Sequence, residues 1–170
     1  MVSYICNGLL YVTSGKKTKM KTNQPTIALS GGFDPPTKGQ VGMIQEAAQI
    51  GDVIIILNSD DWCASKRWNG KNFLPFSKRK SILLEIPGVV LVVAAEDEDG
   101  TVCKTLKKLK PDFFGNGGNR NIENTPEVEV CKKMGIGMLF FLGKNHTPTS
   151  EEILGQAISL SKENSSDRTK

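Results

Sequence analysis

The residues best suited to chemistry form one unbroken stretch, Ser30-Gly31-Gly32-Phe33-Asp34-Pro35-Pro36-Thr37-Lys38-Gly39-Gln40. An apolar run, Ile27-Ala28-Leu29, stops before the two glycines, and a helical pattern opens after Thr37. That is a strand, a tight loop and a helix start. Glycines let a backbone approach a ligand closely, Pro35 and Pro36 stiffen the bend, and the free N–H groups at a helix opening favour an anion. A phosphate is the natural guest. Thr37 and Gln40 stand at capping-box spacing, with Gln40 turned back onto the Thr37 backbone N–H. Alternatively Gln40 projects from the first turn toward Gly31 and Gly32 and donates to the phosphate. The two arrangements compete for one side chain, and we expect the second, because Gly39 leaves the helix entrance uncrowded.

The elements that must carry this loop alternate. Strand signals at 26–30, 52–57, 89–94, 112–114 and 137–142 are separated by helical patterns at 38–50, 77–86, 100–109 and 126–134, and a last helix opens at Thr149 or Ser150. Strands alternating with helices predict an α/β fold, a doubly wound parallel sheet of five strands in the order 3-2-1-4-5. Gly51 stands where a glycine ends a helix, at C′. Residues 61–75, rich in Lys, Trp, Gly and Asn, read as a long loop of the functional kind. In such sheets a ligand binds beyond the carboxyl ends of the strands, at the switch point beside strand one. The loop from Gly31, residues 59–75, Gly115 to Arg120 and Thr147 to Ser150 all follow strands and are expected to converge there.

The 170 residues suit one domain, with 38% hydrophobic and 24% charged residues and a net charge of +4. We place that domain at 26–160, after an N-terminal extension, 1–25, and before a polar tail, 161–170, expected to be disordered. Within the extension, Tyr4 to Val12 reads either as a hairpin turning at Asn7-Gly8 or as a bare lead-in. Four widely spaced cysteines and one histidine, His146, make a zinc site a poor reading. No secretory leader or membrane-length apolar run is read, so reduced thiols and a cytoplasmic location are expected. The lysines at 16, 17, 19 and 21 match no nucleic-acid motif, and neither nucleic acid nor membrane is an expected partner. Glu96 to Asp99 read as partners of a helix dipole rather than metal ligands, and His146 as a loop residue.

The stretch from Gly31 to Gln40 resembles the G-x-F-D-x-x-[HT]-x-G-H signature of the cytidylyltransferase-like nucleotidyltransferase superfamily, with Gln40 where nearly all members have the second His. Asn58-Ser59-Asp60 followed by Lys66, Gly70, Pro75 and Arg79 is similar to a second block of the sugar-phosphate and glycerol-phosphate nucleotidyltransferases. Asn116-Gly117-Gly118-Asn119 resembles their K-G-G-D segment. Thr149-Ser150 resembles the hydroxyl pair that caps their last helix against nucleotide phosphates. The resemblance, covering roughly 26–155, implies transfer of a nucleotidyl group from ATP or CTP to a phosphorylated small molecule, with Mg²⁺ and pyrophosphate release, in a family whose members are often homodimers or larger.

Carried onto this sequence, the resemblance makes Thr37, Gln40, Lys66 and Arg79 the catalytic candidates. Gly31, Gly32, Phe33, Asp34, Gly39, Asn116, Gly117, Gly118, Asn119, Thr149 and Ser150 become the nucleotide-binding candidates. Cations at Lys66 and Arg79 would offset the negative charge that gathers when a phosphate attacks a phosphate. The blander reading makes Lys66, Arg67 and Lys71 solvated loop charges and Arg79 a helix pairing residue. Gln40, Asn116 and Asn119 are neutral where the family has ionisable groups, which also motivates a second reading, a binding module that holds a nucleotide without turning it over.

Overall fold

Asp-Val-Ile-Ile-Ile-Leu, residues 52–57, offers water no polar face, and a strand of this kind needs cover on both sides. The computed structural model describes residues 24–143 together with the backbone of three strands at 4–6, 9–12 and 18–21. In it, Asp52–Leu57 (β5) lies inside a five-stranded parallel sheet with Thr26–Gly31 (β4), Val89–Ala94 (β6), Phe113–Gly117 (β7) and Gly137–Leu142 (β8), in the order β6-β5-β4-β7-β8. Numbered within the sheet that is 3-2-1-4-5, as the alternating pattern predicts. Residues Val53 to Leu57 are each 0% exposed, and complete burial of an Ile or Leu side chain is worth roughly 1.5–3 kcal/mol.

The period of two sorts each strand onto two cores. Ile27, Leu29, Val53, Ile55 and Leu57 pack with Ile44 and Ala47 of α1 (Lys38–Ile50) and Leu83 of α3 (Phe76–Leu84). Ala28, Ile54, Ile56 and Phe114 pack on the other face with Leu106 of α4 (Cys103–Leu109) and Cys131 of α5 (Val128–Met134). The start of the central strand is tied across to β7, because Asp112 accepts from both the Thr26 N–H and the Thr26 hydroxyl at 2.8 and 2.9 Å. Near the end of β8 the register with β7 shifts and Phe141 takes φ 67°, which turns it outward at 45% exposed and returns Leu142 to the core.

Three expectations need correction. Gly51 follows α1, but its φ of −179° is extended backbone rather than the left-handed region. What excludes a side chain there is the Pro25 carbonyl oxygen, 2.0 Å from where a Cβ would stand. Residues 61–75 are not one long loop, since Asp60–Ser65 form α2, with the Ser59 hydroxyl accepting from the Trp62 N–H at 3.1 Å and Asp60 and Asp61 in its first turn. The helix expected at 100–109 begins at Cys103, because Asp97 accepts from the N–H groups of Lys104 and Thr105 at 2.5 and 3.0 Å and so fixes the entry. This places an acidic residue at the positive end of a helix dipole, the reading preferred for Glu96 to Asp99.

Tyr4–Cys6 (β1), Leu9–Val12 (β2) and Thr18–Lys21 (β3) form a separate antiparallel sheet in which Cys6 pairs with Leu9, the hairpin alternative for this segment. His146, Thr149, Ser150, the last helix and the tail lie outside the described residues. Among the described residues, no helix is long and apolar enough to cross a membrane.

Candidate functional site

The helix that opens after Thr37 begins with a complete capping box. The Thr37 N–H donates to Gln40 Oε1 at 2.9 Å, and the Gln40 N–H donates to Thr37 Oγ1 at 3.3 Å. The expected projection of Gln40 away from the cap is therefore wrong. A first-turn N–H lacks an intrahelical acceptor, and this carbonyl oxygen reaches it. The two roles are nevertheless compatible, because an amide has two ends. With Oε1 fixed on an N–H donor, Nε2 is turned away as a donor, without a hydrogen-bond partner among the described residues, and Gln40 forms part of the wall of the cavity beside it. The N–H groups of Lys38 and Gly39 are likewise unpaired among the described residues, and a Cβ on Gly39 would meet nothing within 4 Å. This helix end is open to an anion.

The other prominent residues of the loop are scaffolding. Asp34, its side chain only 5% exposed, accepts from the N–H groups of Phe73 and Leu74 at 2.8 and 2.6 Å and pairs with Arg67 at 3.4 Å. Burial pushes its carboxyl upward. The Phe73 and Leu74 N–H groups, with Arg67 and Arg79, outweigh burial and hold the carboxyl below its ordinary value. Arg67 also donates to the Asp34 carbonyl and lies over the Phe73 ring at 4.3 Å. Phe33 is 1% exposed and belongs to the core, where it stands so close to Gly31 that a Cβ there would touch its ring at 3.0 Å. Gly32 is hemmed in by Cys63 Sγ at 2.9 Å.

Arg79 is 0% exposed. Its guanidinium donates to the carbonyls of Leu74 (3.0 Å), Gly32 (2.6 Å) and Asn58 (2.9 Å) and to Asp60 Oδ1 (2.6 Å). With its donors directed at protein oxygens and the side chain sealed from solvent, it ties the signature loop to the ends of β5 and α2. It does not reach the cavity. Lys66 is exposed, with Nζ 5.2 Å from the centre of the Trp62 ring, and does not line the cavity either. The two cations assigned by resemblance are thus outside the cavity wall, Arg79 because the carbonyls around it needed a donor and Lys66 because it closes the exposed C-terminus of α2.

The cavity encloses about 450 Å³ at the carboxyl ends of the strands, between the opening of α1 and the end of β7. Of the sequence candidates it brings together Gly31, Thr37, Gly39, Gln40, Asn116, Gly117 and Gly118. Gly32, Phe33, Asp34, Lys66, Arg79 and Asn119 are not in its wall. Asn58, Trp62, Arg120 and Glu127 also line the cavity; the first three fall in segments that the sequence reading brought to this end of the sheet without giving them a role, and Glu127 it missed. Gly117 is held to a glycine by close approach, with Leu142 O and Met43 Sδ each 2.8 Å from a Cβ position, and Gly118 turns the chain at φ 65°. Arg120 donates to the Asn124 carbonyl at 2.8 Å. Glu127 is 7% exposed and accepts the Val102 N–H at 3.0 Å. Its Asn-Thr-Pro-Glu context marked a helix entry, and only the fold reveals that this entry faces the cavity.

Among the described residues no group of three or more His, Cys, Asp or Glu could hold a metal ion.

The chain shares 30% identity over 119 residues with the bifunctional protein HldE of Streptomyces coelicolor, a match covering 69% of this chain and 25% of that protein. It is 26% identical over 113 residues to the D-beta-D-heptose 1-phosphate adenylyltransferase of Bordetella bronchiseptica, covering 66% and 69% respectively. It therefore spans about a quarter of the first relative's length and about two thirds of the second's. A solved lipopolysaccharide core biosynthesis protein from Thermoplasma volcanium superposes with a TM-score of 0.54 at 18% identity, covering 70% of this chain and 97% of that one, a likeness of fold. The Cytidylyltransferase-like family model matches residues 28–134, from β4 through α5, and so takes in the capped loop, the cavity floor and the Glu127 turn. With that span, well over half of the chain, matched, the chain belongs to the cytidylyltransferase-like family of nucleotidyltransferases.

Proposed function

We propose that this protein moves a nucleotidyl group from ATP or CTP to a phosphorylated small molecule, releasing pyrophosphate. The observation that carries the reading is the open end of α1. There the Lys38 and Gly39 N–H groups and Gln40 Nε2 lack partners among the described residues, and Gly39 and Gln40 border a cavity at the switch point of the sheet. Three donors beside a positive helix end suit the phosphates of a nucleoside triphosphate.

In the reaction a phosphate oxygen of the acceptor attacks the α-phosphorus in line. One P–O bond forms, the P–O bond to pyrophosphate breaks, and the departing charge falls on the pyrophosphate oxygens. What the chain contributes is position and electrostatic stabilisation, with no covalent intermediate required. Gln40 Nε2 and the helix N–H groups hold the phosphates, and Arg120 supplies positive charge from the facing wall. Mg²⁺ carried by the nucleotide would neutralise phosphate charge. The relative named as a heptose 1-phosphate adenylyltransferase supports a sugar phosphate as acceptor and ATP as donor.

The test is pyrophosphate release from a panel of nucleoside triphosphates crossed with sugar and polyol phosphates, with Mg²⁺ present. Turnover above background with one pair is expected. Background release across the panel, with tight nucleotide binding in the same preparation, would instead favour the binding module. One observation gives that second reading its weight: Arg120 is the only cationic side chain among the described residues of the cavity wall.

A further inference from the structure

Gly42 and Glu46 stand four residues apart in α1 and so share one face of the helix. Gly42 carries no side chain, and the space it leaves is taken by the chain emerging from β8. A Cβ on Gly42 would stand 3.8 Å from the Gly143 Cα. A Cβ on Gly143 would stand 2.5 Å from the Gly39 carbonyl oxygen and 3.0 Å from the Met43 nitrogen. Gly143 also turns at φ 77°, so the crossing of β8's exit over the first turn of α1 is a contact of backbone with backbone that only glycine fits.

Glu46 fastens this crossing. A helical side chain leans toward the N-terminus of its helix. Half-buried one turn beyond Gly42, Glu46 reaches back so that Oε2 accepts the Gly143 N–H at 2.7 Å, from a residue 97 positions away. Glu46 does not border the cavity, whereas Gly39, Gln40, Met43, Leu142 and Gly143 do. Whatever it does for the site it therefore does through Gly143. We infer that Glu46 is a positioning residue for the nucleotide phosphates, which holds the exit of β8 as a fixed wall against the open end of α1. The inference rests on the proposed nucleotidyl transfer for the identity of the ligand, and the clamp itself does not.

Position and charge make opposite demands here. A carboxylate tied to a residue that touches Gly39 lies near the helix opening, and its charge opposes a bound phosphate. Removing the charge alone should leave nucleotide binding unchanged or tighter. Removing the acceptor frees the wall, and a ligand must then order it on binding.

Glu46→Gln retains an oxygen for the Gly143 N–H without the charge. Glu46→Ala removes both, and Glu46→Met does so at nearly full side-chain length if the alanine variant does not fold. Two measurements on the full chain separate clamp from site. Amide hydrogen exchange at Gly143, followed by NMR without ligand, reads the clamp. Titration calorimetry with ATP and with CTP in the presence of Mg²⁺, below the melting temperature of every variant, reads the phosphate site.

Gly143 should exchange about tenfold faster in Glu46→Ala than in wild type, the factor for one hydrogen bond to a charged group, and should stay protected in Glu46→Gln. The nucleotide that wild type binds should bind Glu46→Ala about tenfold more weakly, and Glu46→Gln within about threefold of wild type or more tightly. Unchanged exchange in Glu46→Ala overturns the clamp. Faster exchange with unchanged nucleotide affinity makes the bond a structural tie and overturns the positioning role, and so do equal losses of affinity in the two variants, since charge would then be the agent. Those results leave nucleotidyl transfer standing. No binding of either nucleotide by wild type defeats nucleotidyl transfer and the positioning role together.

Discussion

Replacing Gln40 by glutamate separates the two ends of its amide. In the structure Oε1 caps the Thr37 N–H at 2.9 Å while Nε2 remains a donor at the cavity wall. A glutamate retains the acceptor and adds a negative charge at the positive end of α1, worth about 0.3–1 kcal/mol in favour of the fold. The same change removes the donor and directs charge at any phosphate bound there. Gln40→Ala removes the cap instead, and for one solvent-exposed neutral hydrogen bond the loss is about 0.5–1 kcal/mol, or roughly 1–4 °C in Tm for a chain of this size.

Losing a preorganised donor to a developing anion costs on the order of a hundred- to a thousand-fold in kcat. We therefore expect Gln40→Glu to melt at or above the wild-type temperature and to lose at least a hundredfold in pyrophosphate release, with Gln40→Ala losing both stability and turnover. Differential scanning fluorimetry and a coupled pyrophosphate assay on the same preparations read the two effects. Turnover in Gln40→Glu within threefold of wild type would refute the reasoning and reduce Gln40 to a helix cap.

Arg79→Met leaves the carbonyls of Leu74, Gly32 and Asn58 without their donor. Unsatisfied buried acceptors of this kind cost about 1–3 kcal/mol each, so a fall in Tm of 6 °C or more is expected on the roughly 2–4 °C per kcal/mol scale, and an unchanged melt would show that the arginine is not the tie described. The Asp34 carboxyl sits below its ordinary 3.8 in the folded chain, so its contribution is complete above about pH 4 and is lost as pH falls through the lowered folded value. Thermal melts between pH 2 and 6 should show Asp34→Asn less stable than wild type at the upper end, with the gap closing in acid; parallel curves would contradict this. Gly51→Ala places a methyl against the Pro25 carbonyl and should cost about 1–3 kcal/mol or more, whereas a neutral result by chemical denaturation would place the glycine's role elsewhere.

The sheet was legible because its strands are nearly pure apolar runs between helix-period segments. Three of them, Asp52–Leu57, Val89–Ala94 and Gly137–Leu142, have the bounds expected from sequence, and α1 runs from Lys38 to Ile50 as its apolar spacing indicates. Six-residue α2 was not, since it is too short to show an apolar stripe, although Ser59 before two acidic residues was a usable start signal.

In the site, Gly31, Gly39, Gly117, Gly118 and Thr37 could be placed because backbone geometry is written locally. Arg79 and Asp34 could not, because what an arginine or aspartate does depends on partners far along the chain, here Gly32 and Leu74. Glu127 was hidden for the same reason, its cavity neighbours being supplied by β4, β7 and α1.

The clamp between Asp34 and residues 73–74, together with the Arg79 tie to Gly32, makes the signature loop and the α2–α3 segment one part rather than two. Modularity therefore stops at a different place from the motif. A chimera that imports residues 30–40 from a relative with the second histidine would set an aspartate fitted to that relative's own turn against this chain's 73–74 N–H groups and offer this chain's arginine a carbonyl at a new height. The exchangeable cassette runs from Ser30 to Arg79, and laboratory recombination within this family should find its crossovers outside those bounds.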